Sequence, residues 1–95
     1  MARDVDRAVM LYCADTGSGR RDAVVAAFGP GEGERLARVV EALVDDIFAT
    51  EVDWSRGEDF NVVAAGVERA FAAGHPEVGQ EAVRALADYW AYCNW

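Results

Sequence analysis

The sequence predicts an all-α fold. Apolar residues recur at a period near 3.6 in every segment, sustained alternation is absent, and short glycine-rich breaks divide the chain. The breaks are DTGSG at 15–19, GPGEG at 29–33, DWSRG at 53–57 and GHP at 74–76. The expected architecture is one compact domain, residues 1–95, a bundle of four main helices plus one short helix. An apolar fraction of 53% suits a packed core and is foreign to disordered chains.

The first helix is expected over 2–15, with Val5, Val9 and Tyr12 on its apolar face. A short second helix, 20–28, offers Val24, Val25 and Phe28, and Ser18 can cap its start. The third, 31–50, carries Leu36, Val39, Val40, Leu43 and Ile47 at i, i+3, i+4, i+7 and i+11, the stripe of a core-facing helix. Pro30 suits its first turn, and Glu32 and Glu34 place negative charge near its N-terminus. In the fourth, 56–73, Phe60, Val63, Ala64, Val67 and Phe71 repeat the spacing, and Ser55 with Glu58 reads as a capping box. The fifth, 76–94, is expected to have Pro76 and Glu77 in its first turn. Gly17, Gly29 and Gly74 fit the left-handed residue that ends a helix.

The formal net charge is −8. Residues 1–38 balance six arginines against six acids, whereas 39–95 hold three arginines against eleven acids, so the whole charge lies in the second part. This argues against nucleic acid or an anionic membrane as a direct partner and for a basic protein. All nine basic residues are arginine, a bias that suits a GC-rich bacterial or phage genome. The apolar stretch 9–13 is too short for a signal core and follows Asp4 and Asp6. Nothing approaches the roughly 20 apolar residues of a membrane span. A cytoplasmic location is therefore expected, with Cys13 and Cys93 reduced and serving as small core residues.

No catalytic motif emerges, and the chain is read as a non-enzyme. His75 is the single histidine, placed in a loop or as an N-cap, and two cysteines 80 positions apart lack the spacing of a zinc site. Glu41 and Asp45 share a helix face beside Asp46, but a metal there needs ligands from a second helix. No metal and no cofactor is expected. Ser18 and Ser55 are better explained as caps than as nucleophiles, and GSGRR at 17–21 lacks the strand and lysine of a phosphate loop.

The informative segment is YWAYCNW at 89–95, which holds four of the ten aromatic residues. At 100° per residue with Tyr89 at 0°, Ala82, Cys93, Leu86, Trp90 and Val83 fall between about 20° and 120°, one apolar face. Arg84, Trp95, Asp88, Glu81 and Tyr92 fall between about 220° and 300°. Tyr92 and Trp95 are therefore expected on the charged side. Trp54, within the acidic loop EVDWSRGED at 51–59, is a further candidate anchor.

These readings converge on a small acidic, non-catalytic protein-binding module that neutralises a basic partner. Tyr92, Trp95 and Trp54 are the expected anchors, and Asp45, Asp46, Asp53, Asp59 and Asp88 the residues that steer and pair with Arg or Lys. In architecture and charge alone the chain is similar to bacterial immunity proteins that block nuclease toxins; no motif carries that likeness. A homodimer built on the terminal aromatics, and a phage-type inhibitor that mimics DNA phosphates, are the alternatives.

Overall fold

The computed structural model describes residues 2–14, 19–52 and 57–94. Among these the chain is all-α, with no strand: α1 (Ala2–Ala14), α2 (Arg20–Phe28), α3 (Pro30–Phe48), α4 (Phe60–Gly74) and α5 (Gln80–Asn94). None of these helices is long and apolar enough to cross a membrane.

The stripes read from the sequence face the core, with Val5, Tyr12, Val39, Phe60, Val63 and Ala64 only partly buried at its edge. Leu36, Val40, Leu43 and Ile47 of α3 meet Val67 and Phe71 of α4, and Ala82, Val83, Leu86 and Trp90 of α5, in one core that Val9 and Val24 complete. The arrangement follows from the contacts. α2 and α3 form an antiparallel hairpin, with Arg21 paired to Glu41 at one end and Gly33 against the Val25 backbone at the other. α1 runs parallel to α5: Asp6 meets Gly79 near their starts, and Tyr12 meets Tyr89 further along. α4 is antiparallel to α5, since Phe60 at its start stacks on Trp90 near the end of α5.

The α2–α3 corner turns on one residue. Gly29 adopts φ +90° and ψ 166°, a region essentially reserved for glycine. Its N–H donates to the Val25 carbonyl at 2.8 Å, and its own carbonyl accepts from Gly33 N–H at 2.7 Å. Pro30 follows in the first turn of α3, as expected.

Four helix-boundary expectations need correction. α4 starts at Phe60, not 56, because Asp59 is the N-cap: its side chain accepts from the Asn61 N–H at 2.8 Å. Gly57, at φ +68°, lies in the left-handed region and interrupts any earlier helical run. The capping box fails on that ground, and Ser55 lies outside the described residues. α5 starts at Gln80, not 76. Val78 N–H donates to the His75 carbonyl at 3.0 Å, so Pro76 occupies the second position of a turn, where its fixed φ also fits. The turn sends Val78 into the core. Gly74 stays inside α4 without a positive φ. The N-cap of α2 is Gly19, with no side-chain cap; Ser18 and Gly17 lie outside the described residues.

Candidate partner-binding surface

α5 sorts its aromatic residues by the faces that its neighbours cover. Trp90 is 3% exposed, pressed against Phe60 with the rings 5.9 Å apart and nearly parallel. Tyr89 sits at the edge of the core: Tyr12 meets it edge-on, Phe48 lies 5.8 Å away, and the Arg20 guanidinium stands 4.4 Å from its ring centroid. Tyr92 is 66% exposed. Tyr89 and Tyr92 therefore differ in surroundings although they lie less than one turn apart.

The last three residues of α5 are exposed, and this corrects the reading of Cys93. Its wheel position is apolar, yet Tyr92, Cys93 and Asn94 are all exposed. A helix face is buried only where a neighbour reaches it, and among the described residues none covers this one. Asn94 closes the turn by donating from its side-chain amide to the Trp90 carbonyl at 2.8 Å. Cys13, half-buried under α5, fits the core reading better. Burial pushes its thiol up to about 11, against a lowering by Arg20 and with a further rise from Asp88. It stays protonated at neutral pH, so it is a poor nucleophile. Burial likewise raises the Tyr12 and Tyr89 hydroxyls, aided by Glu41 at Tyr12 and opposed by Arg20 at Tyr89.

Tyr92 and Asp88, one turn apart, form a ridge between two depressions. On one side a depression of about 320 Å³ is lined by Met10, Cys13, Arg20, Ala85 and Tyr89 together with the ridge. On the other, a depression of about 380 Å³ is lined by Phe60, Asn61 and Ala91 with the same two residues. Asp59 immediately precedes Phe60 and holds the start of α4 in place. Of the expected site residues, Tyr92 and Asp88 line this recess, and Asp59 adjoins its Phe60 in sequence. Arg84 reaches Asp88 through an exposed Nε–H···Oδ1 bond of 3.3 Å, and Glu68 at 3.8 Å.

The other expected site residues lie elsewhere. Asp45 and Asp46 are exposed at the end of α3. Asp46 accepts from His75 Nε2 at 3.0 Å, at the far end of α4 from Asp59, roughly 24 Å along a helix of 1.5 Å rise. Glu41, considered as a metal ligand, is paired with Arg21 at 2.5 Å. Trp54, Asp53 and Trp95 lie outside the described residues. Sequence reasoning missed Asn61 and Ala91 as lining residues and saw Phe60 only as core. With α4 assumed to begin at 56, Phe60 and Asn61 fall inside a helix instead of at its mouth.

Comparison with protein-family models, with curated proteins and with solved structures found no match.

Proposed function

We infer that this chain is a non-catalytic protein-binding module that engages a basic protein, as an inhibitor or immunity-type protein does. The observation that carries the reading is the ridge of Tyr92 and Asp88, an exposed aromatic beside an exposed carboxylate with a largely apolar depression on each side. Tyrosine is among the residue types that dominate interface hot spots, where a large rigid ring is buried at small entropic cost. The charge of −8 favours a basic partner and opposes association of two like-charged copies.

Affinity capture from the source cell with wild type and Tyr92→Ala baits tests this, with melting curves confirming that both are folded. A basic protein held by wild type, released by salt and lost with Tyr92→Ala supports the reading. Identical captures from both baits, or none, overturn it. The exposed apolar residues Met10, Phe48, Val62 and Tyr92 favour a second reading, a homo-oligomer. Light scattering separates the two, because a monomer at micromolar concentration removes the oligomer.

A further inference from the structure

The two depressions beside Tyr92 share Asp88 and Tyr92, and each adds a second aromatic ring to its wall. In the first, the chain supplies its own arginine, since Arg20 lies over the Tyr89 ring with Asp88 in the same wall. Among the described residues, the second is lined by Phe60, Asn61, Asp88, Ala91 and Tyr92, two aromatic rings and a carboxylate with no cation in that lining. Asp59, next to Phe60 in sequence, spends one oxygen on the Asn61 N–H. A carboxylate offers about four lone-pair sites on its two oxygens, so Asp59 and Asp88 both retain capacity to accept.

We propose that this second recess takes an arginine side chain of the basic partner, its guanidinium stacked on Tyr92 and hydrogen-bonded to Asp88. The assignment rests on the protein-binding reading and narrows it to a residue type. A guanidinium is planar, weakly hydrated and forked, so it stacks on an aromatic face and binds a carboxylate through two parallel N–H groups. Its aliphatic stem suits the Ala91 and Phe60 wall. A lysine ammonium is a compact, strongly hydrated charge that matches neither surface as well. Arg84 holds Asp88 by an exposed pair within α5, which an incoming fork can displace. The recess therefore discriminates between the two basic side chains where a diffuse acidic surface does not.

The test is a titration of the ¹⁵N-labelled intact chain with tetra-arginine and with tetra-lysine at equal ionic strength. Tetra-arginine is expected to bind about threefold tighter or more, the size of an exposed cation–π contribution. The Asn61 and Ala91 amides should move most. Tyr92→Ala and Asp88→Asn should bring the two peptides to equal affinity, and Arg84→Gln should tighten tetra-arginine. Tyr92→Leu, which keeps the apolar volume without the aromatic face, serves if Tyr92→Ala does not fold. Equal affinities in wild type, shifts confined to other surfaces, or a preference that survives loss of the ring overturn the proposal. If that happens while capture of a basic protein still depends on Tyr92, the arginine recess falls alone. If tetra-arginine binds as expected but no protein is captured, the recess stands and the module reading falls.

Discussion

Gly31 and Gly33 lie two residues apart in α3 and meet opposite surroundings. A Cβ at Gly31 would enter open space, whereas one at Gly33 would lie 2.5 Å from the Val25 Cα. That atom belongs to the backbone of α2 and cannot swing aside, so Gly33→Ala must push the hairpin apart. The expected cost is about 1–3 kcal/mol, that of overpacking a close contact. Gly31→Ala removes freedom from the unfolded chain without strain and is expected to stabilise by about 0.4–1 kcal/mol. Urea midpoints of the two variants should move in opposite directions, and a neutral Gly33→Ala would show that the helices are less closely apposed. Asp6 is a second such residue. Its carboxylate accepts the Gly79 N–H at 3.0 Å and so caps α5 from another helix, 73 positions away. Asp6→Ala should cost about 1 kcal/mol, the usual value of a lost cap, and Asp6→Asn less. Neither role is legible in the sequence, where GPGEG reads only as a break and Asp6 only as a charge ahead of an apolar stretch. Close approach and remote capping depend on which helix comes to lie alongside, and periodicity within one segment does not encode that.

The helices themselves were legible because each stripe is a local property: an i, i+3, i+4, i+7 pattern needs one buried face, whatever covers it. The ends were less so. Ser55 with Glu58, and Pro76 with Glu77, are sound start signals, yet Asp59 and the turn at 75–78 prevailed, helped by Gly57 and by the burial of Val78. That turn also ties α3 to α4. The His75 ring stacks on Phe71, with its Nδ1 3.1 Å from the Phe71 carbonyl and its Nε2 3.0 Å from Asp46. Both nitrogens face acceptors, so only the protonated ring donates to each. Burial disfavours that charge, but the hydrogen bonds to Asp46 and Phe71, with the charges of Glu77 and Asp46, outweigh it and raise the His75 pKa. A raised folded value means that this contribution is complete below the unfolded value of about 6.5 and disappears as pH climbs through the folded one. The melting temperature of wild type should therefore fall between pH 6 and 8 by more than that of His75→Gln or Asp46→Asn. Because Asp46 is largely exposed, the effect should stay below about 1 kcal/mol. Parallel pH profiles for wild type and variants would remove the clamp.

At the scale of the whole molecule, 45 × 28 × 18 Å, the thickness is about that of two helices, so no side chain lies far from a surface. The charge is correspondingly a surface property, and carboxylates at opposite ends of α4 act on a partner by different routes. Asp45 and Asp46, roughly 24 Å from the Tyr92 recess along α4, lie beyond the Debye length of about 8 Å at physiological salt. On the protein-binding reading they contribute to the field that draws a basic protein in, and that field weakens as salt is added. Asp88 lines the recess and is desolvated when a partner occupies it. On the protein-binding reading, removing charge at the two places therefore changes different rate constants. Asp45→Asn should lower the association rate modestly at low salt, leave dissociation unchanged, and become indistinguishable from wild type at high salt. Asp88→Asn should instead speed dissociation at every salt concentration, because it removes a contact made only in the complex. Stopped-flow or surface-plasmon rates for the captured partner, taken at low and high ionic strength, separate these effects. A uniform loss of association rate for both variants would mean that the acidic half acts as an undifferentiated field and that the recess holds no privileged contact.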